Sequence, residues 1–398
     1  MREDDGITIK WRLVAFGQTM LKRGNDFTDF DDGLLSSSVS ACMPAKDDVP
    51  TVAFTSLEGW LGSGGFEDET PDETALFKSL KRHKGTPYSA LPSLKALGFN
   101  LIAMANNHSF DGLKKGVLSS LTAAEKMGVS ISGIGADMES ASQATVLEIK
   151  PSKHSKTSTF RVAMVSIATG ALPAGAQEGG VSVLKLCPET GAPDLLDAQR
   201  CLQAIREART RVGRQGLVVC SHHNHQYDGQ HTIGAIYKES PLGPPREPSP
   251  WVKSWINQMV SAGLDVYLGS GDPQFLGFGL VNGKPCFYGL GSFCFQIREE
   301  GKAKFGHEAF EGITASLSLV EGADGARSLD IAVSAVKIDD DLNNGPHYGL
   351  PHRYSLTDRE EASSILIRFI SMSRELGADF SMTRANDGSQ AALINVPL

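Results

Sequence analysis

Three histidines fall within four positions, His222, His223 and His225, directly after the apolar run Leu217 to Ser221. Other polar residues also follow short apolar runs: Gly17 and Gln18, then Glu58, then Asn106, Asn107, His108 and Asp111, then Gly269 to Asp272. In open α/β sheets the carboxyl ends of the strands meet along one edge, so these distant segments are expected to share one crevice. Glu58, Asn107 and the imidazoles of His223 and His225 offer oxygen and nitrogen ligands suited to Zn, Mn or Fe, and Asp272 offers a further hard oxygen. An ion held there would polarise a carbonyl or phosphoryl oxygen, or lower the pKa of a bound water. The plainer alternative is that the three histidines cap the strand and bind backbone or water.

His108 is a candidate acid or base, with Asp111 orienting its ring and His222 as a second proton carrier. Against that, Asp111 could cap the helix that follows, and Asn106 and Asn107 could be turn residues. The glycines of Tyr288 to Phe293 read as tight sheet packing rather than a phosphate cradle. The basic segment 78–84 reads as a solvated helix end, and His154, His231, His307, His347 and His352 as surface or turn residues. Neither a P-loop nor a GxSxG elbow occurs.

Positioning these residues requires strands and helices in a particular order. Trp11 to Phe16, Thr51 to Thr55, Asn100 to Ala105, Ser130 to Ile134, Thr145 to Ile149, Phe160 to Ile167, Leu217 to Ser221 and Val266 to Leu268 read as strands. Pro92 to Leu97, Leu113 to Met127, Leu195 to Val212, Pro250 to Ala262 and Asp358 to Leu376 read as helices, with Gly128 placed for a left-handed cap. Pro285 to Gly289, Ile313 to Leu319 and Leu329 to Ile338 look like late antiparallel strands. The acidic stretch 62–72 reads as an exposed insertion. Alternation early and strands late predict an α/β chain with a two-sheet core and helices outside. With no internal repeat and no Gly/Ser spacer, one domain over 1–398 is expected, its core at about 12–296 and the remainder completing it.

The 398 residues are 41% hydrophobic and 21% charged, ordinary globular usage that excludes disorder, collagen and a disulfide mini-scaffold. A net charge of −8 gives no field to collect a phosphate backbone, so nucleic acid is not the expected partner. No apolar run reaches membrane-spanning length and Met1 to Lys10 has no signal character, so a soluble, cytoplasmic chain is expected. The six cysteines are scattered without a CxxC pair and are expected as reduced thiols.

The segments together carry a resemblance. VAFGQTML (14–21), TSLEGWL (55–61), GFNLIAMANNHSFDGLKKGV (98–117), GVSISGIGAD (128–137), VVCSHHNHQYDG (218–229) and AGLDVYLGSGDPQFLGF with GKPCFYGLGSFCFQ (262–296) match in order and spacing. The chain resembles the CapA-type poly-γ-glutamate capsule-synthesis proteins, of the calcineurin-like metallophosphoesterase fold group. That resemblance implies a four-layer α/β/β/α sandwich with a metal at the strand ends, held by Glu58, Asn107 and a histidine of 222–225, and His108 as the catalytic imidazole. Two departures matter. Gly17-Gln18 stands where the family has Gly-Asp, and Gly269 to Gln274 lacks the histidines of a GHxPH-like turn. One divalent ion rather than two is therefore expected, with Asp272 and the extra histidines replacing missing ligands. The expected function is a metal-dependent enzyme hydrolysing an amide or peptide-type, carboxylate-bearing substrate. Epimerisation or isomerisation beside a polarised carbonyl, a non-catalytic role in binding or making an anionic polymer such as polyglutamate, and phosphoester hydrolysis are the alternatives.

Overall fold

The computed structural model describes residues 8–21, 48–62, 85–87, 90–150, 159–233, 246–297, 305–341, 350–352, 359–384 and 390–397. The acidic stretch 63–72, the basic segment 78–84, Cys42, His154 and His347 lie outside them.

The structure is mixed α/β, with two principal sheets and helices. The larger sheet is built on β1 (Thr8–Met20), whose neighbours β2 (Thr51–Leu57), β5 (Phe99–Ala103) and β6 (Ser130–Ser132) continue in parallel on one side. The short pair β3 (Leu61–Gly62) and β4 (Thr86–Pro87) stands apart from it. The smaller sheet contains β7 (Thr145–Ile149), β8 (Phe160–Thr169), β9 (Leu217–Asn224), β10 (Val266–Ser270), β11 (Phe278–Val281) and β12 (Lys284–Phe287). Across it the order is β11-β12-β10-β9-β8-β7. Strands β8, β9, β10 and β12 are parallel, flanked by the antiparallel edges β7 and β11.

The late strands do not trail behind the core. β13 (Ser292–Phe295) pairs in parallel with the end of β1, and β14 (Glu311–Glu321) pairs antiparallel with its beginning. β15 (Arg327–Ile338) lies against β14 and is followed outward by β18 (Gln390–Pro397) and β17 (Ser381–Arg384), while β16 (Pro351–His352) pairs with β15.

Strand alternation explains why both faces of the larger sheet are apolar. Along β1, Leu13 and Ala15 join Val162, Met164, Val219 and Leu268 of the smaller sheet in one cluster. Val14 and Phe16 turn the other way, to the cluster containing Leu91 and Leu94 of α1 (Ala90–Ala96) and Val117 of α2 (Leu113–Met127). A third cluster joins the smaller sheet to α4 (Leu195–Val212) and α5 (Pro250–Ala262), through Cys201, Ile205, Ala208, Trp255, Ile256 and Met259. The short helix α3 (Met138–Ser142) lies between β6 and β7 in the chain, and α6 (Arg359–Glu375) packs Ile365, Leu366 and Phe369 into the first cluster.

Local chemistry sets the helix ends. Asp194 accepts from the Leu196 and Asp197 amides at the start of α4. Gly128 closes α2 at φ 61° and ψ 42°, the left-handed cap expected from its position. At the start of α2 the N-cap is Gly112, without a side-chain cap bond, so Asp111 does not take the capping role that was one of its two readings. No helix among the described residues is long and apolar enough to cross a membrane.

Candidate metal centre

β9 decides which histidines meet. The strand runs on through His222 and His223 to Asn224, past the expected end at Ser221, so successive side chains alternate between its faces. His223 and His225 therefore lie together, with ring centroids 4.9 Å apart, and their donor atoms and one of Glu58 all lie within 4.8 Å of one another.

Glu58 reaches them from the other sheet. Its amide donates to the Thr19 carbonyl at 2.9 Å, fixing the chain just past β2 against the end of β1. Its side chain is 5% exposed. The turn after β5 is held by Asn106, which is completely buried. Its Nδ2 donates to the carbonyls of Leu57 (2.8 Å) and Met104 (3.2 Å), and its Oδ1 accepts from the amides of Gly59 (3.1 Å) and His108 (3.0 Å). This one amide ties the segment carrying Glu58 to the segment carrying Asn107 and His108. Asn107 Oδ1 then lies 2.8 Å from His223 Nε2.

Beside the cluster stands a histidine–carboxylate pair. His108 Nδ1 is 2.7 Å from Asp111 Oδ2, and His108 Nε2 is 3.7 Å from Glu58 Oε1. The His108 side chain is 20% exposed, against 5% for both carboxylates, so the group best placed to move a proton is also the one open to solvent. Of the two roles the sequence left for Asp111, the geometry has the carboxylate on the imidazole and not on the helix.

Two expectations need correction. His222 faces away from the cluster: Nε2 is 2.8 Å from Thr169 Oγ1, Nδ1 is 2.9 Å from the Tyr267 hydroxyl, and the ring meets Trp251 edge-on. Complete burial lowers its pKa to about 3, so it is a neutral, fully bonded core imidazole and not a proton carrier at this site. Asp272 is not in the three-donor group; its Oδ1 accepts from the Gln274 amide at 3.0 Å within its own turn. Gln18 is drawn into the backbone as well, its Oε1 accepting from the Gly271 amide at 3.1 Å. The chain crosses so closely there that a Cβ on Gly17 would come within 2.4 Å of the Gly291 carbonyl oxygen.

Glu58, His223 and His225 supply one carboxylate oxygen and two imidazole nitrogens, a donor set fitting Zn, Mn or Fe(II). Burial, and then the neighbouring imidazoles of His225, His108 and His222, hold His223 well below the usual histidine range, which keeps it in the neutral form that binds metals. Ser270, which the sequence did not single out as a contact, places Oγ 3.5 Å from His223 Nδ1, because the two residues are paired across β9 and β10. Of the partners of His222, Tyr267 gave no signal beyond lying in an expected strand, and Thr169 lies two residues past the expected end of one.

The family model of the bacterial capsule synthesis protein PGA_cap matches residues 12–237, more than half of the chain. The chain belongs to this family. The matched PGA_cap span contains Glu58, Asn107, His108, Asp111, His223 and His225, whereas Asp272 falls beyond it. Two curated relatives, uncharacterized proteins y4sH and y4uA of Sinorhizobium fredii (strain NBRC 101917 / NGR234), are each 27% identical to it. Each match covers 56% of this chain and 57% of the relative, so the chain spans a little over half the length of these relatives.

Proposed function

We propose that this PGA_cap chain is a metal-dependent enzyme that hydrolyses an amide bond in a peptide-like, carboxylate-bearing substrate. The observation that carries this reading is the three-donor cluster of Glu58, His223 and His225 beside the His108–Asp111 pair. We take the finer architecture to be one CapA-like unit over 1–398, a four-layer α/β/β/α sandwich of metallophosphoesterase type.

Glu58, His223 and His225 would hold the ion, with Asn107 at hand as a further oxygen donor. Such an ion supplies Lewis-acid polarisation of a carbonyl oxygen. The protein's own residues do the rest. Asp111 fixes the His108 ring through Nδ1 and stabilises the imidazolium that forms when Nε2 takes a proton. His108 Nε2 accepts that proton from the attacking water and returns it to the leaving nitrogen as the amide bond breaks. Asn106 keeps Glu58 and His108 in register through the four bonds described above.

The same pair could remove and return a proton beside a carbonyl, and the neutral Gln18, engaged by the Gly271 amide, favours this second reading by supplying no carboxylate for a further ion. Turnover of a panel of peptides in deuterium oxide separates the two. Hydrolysis releases a new amine, whereas epimerisation leaves the amide intact and places solvent deuterium on the α-carbon. Release of amine that His108→Gln abolishes is the expected result. Neither product from the metal-supplemented protein overturns the enzymatic reading in favour of an anionic-polymer binding role.

A further inference from the structure

A cavity of about 30 Å³ lies behind the cluster, room for one or two water-sized groups. Ser270 lines it and places Oγ 3.5 Å from His223 Nδ1, so the cavity adjoins the proposed metal site without containing it. Its wall carries two carboxylates, Asp272, which is 7% exposed, and Glu247, which is exposed. Tyr227, Tyr267 and Tyr288, with Asn224 and Ser249, complete the polar lining, and no lysine, arginine or histidine contributes among the described residues.

Tyr267 has its hydroxyl committed to His222 at 2.9 Å. Tyr288 does not: it is 7% exposed, lines the cavity, and its hydroxyl makes no hydrogen bond among the described residues. A phenol oxygen without a protein partner at the wall of a small acidic cavity can accept from a ligand that donates. Tyrosine rings beside two carboxylates are the surroundings in which an ammonium group is held, by charge, by hydrogen bonds and by the ring faces. For a carboxylate or phosphate, the charged groups among the described lining are both of like sign.

We propose that this cavity takes a primary ammonium group of the substrate. It rests on the reading of the site as an amidase and narrows the substrate to an amide that also carries a free amine close to the reacting carbonyl. Asp272, which the sequence suggested as a metal ligand, becomes a substrate-binding residue.

The test uses the full chain after chelation, so that it does not depend on the metal. Ethylammonium chloride is titrated calorimetrically, with sodium acetate, ethanol and potassium chloride as controls. Saturable binding of ethylammonium is expected, with none of acetate. Asp272→Asn keeps an acceptor for the Gln274 amide and Glu247→Gln alters an exposed side chain, so both variants should fold. Each removes a charged partner and is expected to weaken binding by about tenfold. Three outcomes would overturn the proposal: no saturable binding to the folded wild type, equal binding by both variants, or equal competition by potassium. Failure of the amidase reading appears separately, as an absence of turnover with this binding intact.

Discussion

Asn107 Oδ1 and His223 Nε2 lie 2.8 Å apart although 116 positions separate them in the chain, one following β5 of the larger sheet and the other on β9 of the smaller. Two ligands of a single ion, each about 2.1 Å from it, stand roughly 3 Å apart when they are adjacent in its coordination shell. The separation therefore suits a shared ion as well as a direct hydrogen bond. It also makes the centre depend on both sheets being correctly docked.

Asn106 is the residue whose loss should be felt most widely. Asn106→Ala removes two donors and two accepted bonds at a completely buried position. Leaving such groups unsatisfied costs about 1–3 kcal/mol apiece where water cannot replace the partner. Chemical denaturation should show a loss of about 2–4 kcal/mol, with partial rehydration limiting the sum. A stability within error of wild type would mean that the turns after β2 and β5 hold without it.

Asp111→Asn isolates the role of the carboxylate on His108. The amide preserves shape but withdraws the charge that orients the ring and stabilises its protonated form. Catalytic turnover should fall by about 10²- to 10⁴-fold with metal content and melting temperature unchanged. A variant that is unstable but fully active would return Asp111 to a structural role.

What could be read from the sequence, and what could not, divides along a physical line. Helix α4 was legible to the residue, because apolar positions recur every three to four places between Asp194 and Gly213. The strand ends were legible as a group, since polar residues following apolar runs mark the rim of a sheet. The length of β9 was not. His222 and His223 look alike in sequence, and only the extra strand residues decide that one faces Glu58 while the other faces Tyr267. Asp111 stood between two local roles, and spacing alone does not choose: a carboxylate just before a helix can cap it, and here the imidazole three residues upstream takes it instead. The insertion of β14 beside β1 is a long-range pairing that no local pattern announces.

The thiols give a prediction about pH. Burial pushes Cys201 and Cys286 up to about 12 from 9.0, and raises Cys220 well above it. Native protein at about pH 8 should resist alkylation at these three, while the half-buried Cys187 is modified; in denaturant all four react. Because the unfolded chain ionises these thiols first, it binds fewer protons than the folded chain between pH 9 and about 12, and stability should fall as pH rises through that window. Rapid native labelling of Cys201 would contradict the packing of α4 on the smaller sheet.

If Glu58, His223 and His225 form a single metal centre, elemental analysis of the purified, unchelated protein will show it. About one transition metal per chain is expected, falling towards zero in His223→Ala and Glu58→Gln while both variants melt as folded proteins. Wild-type protein that stays metal-free after Mn, Zn and Fe(II) are supplied, or a His223→Ala variant that keeps a full complement, would contradict it.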